Sequence, residues 1–210
     1  LAQDLSILDQ ISPFLRGVMV KVGLESVHCE PDRNNPVSAA ALVRMHGYRT
    51  YGGLTNGLWD VKLHDIGNTM AAAITNLAGK VHAVTIHASA TTEALRMASK
   101  AAEIAAGSNP TKCVEIFGVT ILTDFDDPEC ISVFGAGCAT KVKQFARKLA
   151  DLGIRGIVCS PMELRVLADA GLLEKLTTLV PGGRPEWAVH NDQKRVLSPR
   201  EIVALGADYA

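Results

Sequence analysis

Aromatic residues are scarce, at 5% of 210 residues, and no surplus of either charge is present: 21 Lys and Arg stand against 22 Asp and Glu, a formal net charge of -1. A nucleic-acid binder carries a basic surplus and, for single strands, aromatic platforms on which bases stack. Both are missing, so no nucleic-acid partner is expected. The same neutrality argues against an anionic membrane surface. No run of about 18 apolar residues occurs, which excludes the usual transmembrane helix. The opening stretch, with Gln3, Asp4 and Asp9, has neither the basic start nor the apolar run of a secretory signal. The five cysteines (Cys29, Cys113, Cys130, Cys138 and Cys159) are odd in number and widely spaced, without a Cys-x-x-Cys. That is neither a disulfide framework nor a zinc pattern. Cys113 and Cys159 lie in apolar runs and read as small buried hydrophobes. A cytoplasmic location is expected.

What is present is an ordinary globular balance, 48% hydrophobic and 20% charged, which excludes disorder as the main state. The length falls within the about 200–250 residues typical of a single α/β barrel, so one domain over residues 1–210 is expected. Short β-branched runs at Gly17–Val22, Leu58–Lys62, Val81–Ile86, Val114–Ile121, Gly156–Cys159 and Thr177–Val180 alternate with helical patterns. The helices are expected at Val37–Met45, Ile66–Ala78, Thr91–Ala105, Thr140–Leu152, Glu163–Ala170 and Pro199–Leu205. Near-continuous apolar strands separated by helices predict a parallel sheet covered by helices. Leu1, Leu5, Leu8, Ile11 and Phe14 repeat at a helical period, so the opening is a helix whose preceding strand is absent from these residues. Gly206–Ala210 reads as the entry to a further strand. With those two the strands number eight, the count of a TIM (β/α)8 barrel whose first strand and most of whose eighth lie outside the 210 residues. An open doubly wound sheet is the alternative, but no Gly-x-Gly-x-x-Gly follows an early strand.

The string Trp59-Asp60-Val61-Lys62-Leu63-His64-Asp65-Ile66-Gly67-Asn68-Thr69 carries the most chemistry. Residues two apart in a strand face the same side, so Asp60 and Lys62 project together at a strand's carboxyl end, where barrel active sites lie. A bland reading stands beside this one: a strand-end ion pair, with Asp65 as the N-cap of the next helix. His87 also ends a strand, but a lone strand histidine is more often packed and hydrogen-bonded than catalytic. His64 and His190 are weaker candidates, Ser160 has no partnered base nearby in sequence, and no spacing suggests a metal.

Asp60-x-Lys62-x-x-Asp65-Ile66-x-x-Thr69 resembles the signature of the orotidine 5′-phosphate decarboxylase family. Lys21-Val22-Gly23, Val84–Ala88, Val119–Thr123 and Gly156–Ser160 resemble its second, fourth, fifth and sixth strands in order. Val180–Pro185 followed by Asn191–Val196 resembles its seventh-strand loop. The resemblance implies a TIM barrel that decarboxylates orotidine 5′-monophosphate to uridine 5′-monophosphate in pyrimidine synthesis, with no cofactor and no metal. Lys62 would stabilise the carbanion and protonate C6. Asp60 would crowd the departing carboxylate, and Lys21 would extend the charge network towards the ribose. Asp65, with Ile66 and Thr69, would reach the neighbouring subunit's site in a homodimer. Thr123, Arg184 and Gln193 would contact the substrate, Arg184 at its phosphate and Gln193 between phosphate and pyrimidine. The bland reading of Thr123, less favoured, is a loop-start hydroxyl that caps backbone, and Arg184 would otherwise read as a solvated loop residue.

The family pattern also has a ribose-touching aspartate ending its first strand and a Gly-Arg phosphate clamp after Gly-Ala-Asp-Tyr. Neither falls within the 210 residues, and Asp4 sits inside the opening helical pattern. Two other readings remain: a related sugar-phosphate decarboxylase or aldolase, and a non-catalytic barrel that binds a phosphate ligand.

Overall fold

The computed structural model describes residues 20–22, 57–79, 81–107, 113–181 and 197–209. The expected helices at 1–14 and 37–45 lie outside them. The described residues gather into two compact units. One takes those within Met19–Gly118 with Leu152–Ile154, and the other those within Val119–Asp151 and Arg155–Ala210.

The first unit holds strands β1 (Val20–Val22), β2 (Gly57–Leu63), β3 (Ala83–His87) and β4 (Glu115–Val119), side by side in that order, β4 crossing into the second unit at its last residue. β1 pairs with β2 and β2 with β3, both parallel. Val84, Thr85 and Ile86 are all buried in β3, as a strand covered on both faces must be. Helix α1 (Gly67–Leu77) buries Met70, Ile74 and Leu77, and α2 (Thr92–Ala106) buries Ala94, Leu95, Ala98 and Ala101. The two helices pack on one another, the alanine stripe of α2 keeping its contact face low. Thr91 caps α2, its side chain accepting the Ala94 amide at 3.1 Å.

The second unit holds α3 (Asp127–Phe134), α4 (Cys138–Asp151), β5 (Gly156–Val158), α5 (Glu163–Asp169), β6 (Thr177–Leu179) and α6 (Pro199–Ala204). β5 pairs parallel with β6. The expected entry to a further strand is present as a parallel bridge between Tyr209 and Leu179. The Tyr209 amide donates to the Thr178 carbonyl and the Val180 amide to the Tyr209 carbonyl, both at 2.9 Å. Asp208 reinforces this register, its carboxylate accepting the Thr178 amide at 2.9 Å. Val142, Leu149, Ile157, Leu164, Leu167 and Ile202 form the buried interior. Phe134 stands between Phe125 and Phe145, with ring centroids 5.8 and 6.0 Å away.

All six sequence-derived strands are found, within a few residues of their expected ends. Helix α3 was not anticipated, because its eight residues lack a clean apolar stripe. Its signals are at its ends: a reciprocal capping box between Asp126 and Glu129, Pro128 in the first turn, and left-handed Gly135 (φ 78°) at its close. Cys159 is buried as expected, but Cys113 is exposed. It precedes β4 by two residues and lies outside the sheet, where burial begins with Val114.

Removing the cap tests this account of α3. Asp126→Ala should lower the unfolding free energy by about 1 kcal/mol, measured by urea denaturation, and an unchanged midpoint would show that the box contributes nothing.

Candidate active site

Asp60 and Lys62 lie near the carboxyl end of β2, but simple alternation along the strand does not bring them together. Trp59 pairs with Val84 and Leu63 with Ile86, so four steps along β2 match two along β3. The surplus is absorbed in a bulge, where Lys62 adopts a left-handed backbone with φ 50°. For a residue with a Cβ that conformation costs about 1–2 kcal/mol.

Thr85 of β3 fastens the bulge. Its hydroxyl accepts the Lys62 amide at 2.9 Å and donates to Asp60 Oδ1 at 2.7 Å. Lys62 Nζ closes the circuit on Asp60 Oδ2 at 2.5 Å. The two charged groups differ in exposure: the Asp60 side chain is 8% accessible and that of Lys62 35%. The carboxylate is therefore enclosed and bonded at both oxygens, while the lysine side chain keeps about a third of its surface accessible. Thr85 was missed in the sequence, although a hydroxyl within the buried run Ala83–Ile86 was a signal that it had a specific partner.

Two imidazoles flank this circuit. His64, exposed after β2, and His87, half-buried at the end of β3, have ring centroids 5.3 Å apart. Burial first, then the nearby His64 and Lys62, holds the His87 imidazole below its ordinary 6.5, against an opposing pull from Asp60. His87 is thus neutral at neutral pH.

Asp65 is exposed, and its Oδ1 accepts the Ile66 amide at 2.6 Å. It is not the N-cap of α1: Ile66 occupies that position and gives no side-chain cap bond. Ile66 is 70% exposed, and Thr69 is exposed beside it. Lys21 lies on β1 opposite Leu58 of β2, the strand that carries Asp60 and Lys62. Thr123 belongs to the second unit and sits half-buried in the turn after β4. Arg184, Gln193 and His190 lie outside the described residues. Among the described residues, no three His, Cys, Asp or Glu side chains gather as a metal ion would require.

The profile of the orotidine 5′-phosphate decarboxylase / HUMPS family matches residues 2–210. The chain belongs to that family. The orotidine 5′-phosphate decarboxylase of Rhodospirillum rubrum is 40% identical over 158 residues, covering 71% of this chain and 61% of that protein. The Paramagnetospirillum magneticum protein of the same name is 41% identical over 152 residues, covering 71% and 64%. The chain thus spans less than two thirds of the curated relatives it matches. Among solved structures, orotidine 5′-phosphate decarboxylase from Lactobacillus acidophilus aligns with a TM-score of 0.68 at 21% identity, covering 99% of this chain and 83% of that one. An uncharacterized conserved protein from Geobacillus kaustophilus aligns equally well, at 0.68 and 22% identity over 96% and 82%. The fold class is α/β, the TIM barrel of this family. No helix among the described residues is long and apolar enough to cross a membrane.

The lowered affinity of His87 for protons has a consequence for stability. Below about pH 6.5 the unfolded chain takes up this proton before the folded one, so the contribution is intact above that pH and is lost as pH falls beneath it. His87→Gln should therefore lose less stability than the wild type between about pH 7.5 and about pH 5.5. Urea midpoints at the two pH values measure this, and equal losses would contradict it.

Proposed function

We propose that this protein decarboxylates orotidine 5′-monophosphate to uridine 5′-monophosphate, the closing step of pyrimidine nucleotide synthesis, without cofactor or metal. The observation that carries the reading is the circuit of Asp60, Thr85 and Lys62: an enclosed carboxylate beside an accessible ammonium at a strand's carboxyl end. The family's name and those of its relatives support the substrate. We take residues 1–210 as one barrel domain working in the cytoplasm.

The reaction breaks the bond from C6 to its carboxylate. Carbon dioxide departs, the electron pair stays on C6, and a proton from Lys62 Nζ replaces the lost group. A fixed ammonium at C6 stabilises the developing carbanion more than it stabilises the substrate, and that difference lowers the barrier. Asp60 is enclosed beside the departing carboxylate, and their like charges favour its loss. Lys21 extends the array towards the ribose. Thr123 contacts the substrate, while Arg184 grips the phosphate by its planar fork and Gln193 bridges phosphate and base. Asp65, Ile66 and Thr69 serve the adjoining site in a two-fold dimer, which accounts for an acid and an isoleucine both standing exposed.

Release of carbon dioxide from orotidine 5′-monophosphate in the presence of a chelator tests the reading directly. Lys62→Ala should abolish turnover while product binding and fold persist, because the lost interactions belong to the transition state. Near-normal turnover in that variant, or activity on sugar phosphates that the chelator removes, would overturn it.

The dimer has its own test. Lys62→Ala and Asp65→Ala chains, each inactive alone, should regain activity when mixed. Half of randomly exchanged dimers are mixed and each holds one intact site of two, so recovery should approach about one quarter of wild type. No recovery, with exchange demonstrated, would return Asp65 to its own chain's site.

A further inference from the structure

We propose that Thr85 is a positioning residue of this site, an inference that rests on the decarboxylase reading: its hydroxyl holds the left-handed turn at Lys62 and the direction of the Asp60 carboxylate in one fixed relation. The geometry leaves this hydroxyl little freedom. It is 1% exposed, it accepts from the Lys62 amide at 2.9 Å, and its own proton goes to Asp60 Oδ1 at 2.7 Å. A hydroxyl has one proton to give, so donation to Asp60 leaves its lone pairs for the amide. The two bonds are therefore compatible and mutually polarising.

The bulge explains why a side chain is needed here. Where β2 takes four steps against two of β3, ladder pairing lapses between Trp59 and Leu63. The Lys62 amide bonds instead to a side-chain oxygen projecting from β3. The same oxygen binds one oxygen of Asp60 while Lys62 Nζ binds the other. Thr85 thereby couples the backbone that aims the proton donor to the carboxylate that faces the leaving group. It acts through these two groups, and no role in contacting substrate is assigned to it.

Two substitutions separate the hydroxyl from the shape of the side chain. Thr85→Val removes the hydroxyl and keeps the branching, whereas Thr85→Ser keeps the hydroxyl and removes the methyl. In Thr85→Val, hydrogen exchange of the Lys62 amide should accelerate about tenfold or more as its acceptor is lost. Turnover of orotidine 5′-monophosphate should fall about 10- to 100-fold through misplacement of the reacting groups. KM and uridine 5′-monophosphate affinity should stay within about threefold of wild type. Thr85→Ser should restore both exchange protection and turnover. Should Thr85→Val fail to fold, Thr85→Ala is a second hydroxyl-free variant with the same expectations.

Unchanged exchange and turnover without the hydroxyl would overturn the proposal. So would a serine variant as impaired as valine, or a loss confined to KM. If the wild-type enzyme does not act on orotidine 5′-monophosphate, the functional reading fails. Exchange at Lys62 in the valine and serine variants still decides whether Thr85 holds the turn.

Discussion

An enclosed carboxylate must be satisfied by donors, or it takes up a proton and ceases to be an anion. At Asp60 that requirement is met by the Thr85 hydroxyl on one oxygen and the Lys62 ammonium on the other. Much of the local structure follows. Lys62 can reach back to Asp60 because β2 bulges, and the bulge persists because the displaced amide finds Thr85. Burial of β3 on both faces keeps that threonine from turning away, since Val84 and Ile86 on either side of it are fully covered. The strain at Lys62 is thus held by neighbours packed for other reasons, the usual circumstance in which a left-handed residue with a side chain survives.

The strand-and-helix alternation was legible because parallel strands buried on both faces are written as near-continuous apolar runs, such as Ile116–Val119, whose four residues are all buried. Helix α3 was hidden because eight residues complete barely two turns, too few for a stripe to show, and its amphipathic signal is weak beside its caps at Asp126 and Gly135. The pairing of Asp60 with Lys62 was foreseen, but from alternation that the bulge interrupts. A period-two pattern carries no mark of two inserted residues, which leave its phase unchanged. Thr85 escaped notice for a related reason: its importance depends on which strand lies beside β3 and in what register, and that information resides in the pairing of chain segments distant in sequence. Cys113 was misjudged because apolar neighbours in sequence do not become neighbours in space until the strand actually begins.

The segment after β2 shows an opposite distribution of polarity. Asp60 is enclosed, yet Asp65, Ile66 and Thr69 are exposed, and the N-cap of α1 has been given to an isoleucine that cannot cap. A helix start optimised for its own stability would place Asp, Ser or Thr there, at a gain of about 1 kcal/mol. The chain has that option one residue away, in Asp65, and spends its carboxylate on the adjacent amide of Ile66 instead. Local helix stability does not account for this choice. The role proposed for the exposed face at another subunit's site would account for it.

Burial and exposure also divide the labour between the two charges of the pair. In the proposed reaction the proton donor must meet its acceptor atom, so Lys62 has to remain accessible, and in water an accessible lysine samples many rotamers. Enclosing its partner resolves the conflict. Asp60 loses most of its contact with solvent and, with it, the screening that makes surface ion pairs weak. Its hold on Nζ is correspondingly firm, and the ammonium is confined without being covered. For the proposed reaction this arrangement has a further effect. As carbon dioxide leaves, negative charge moves from the carboxylate beside Asp60 to C6 beside Lys62, away from the fixed anion and towards the fixed cation. Both groups are oriented before substrate arrives, so the enclosed pair favours the charge shift without having to reorganise during it.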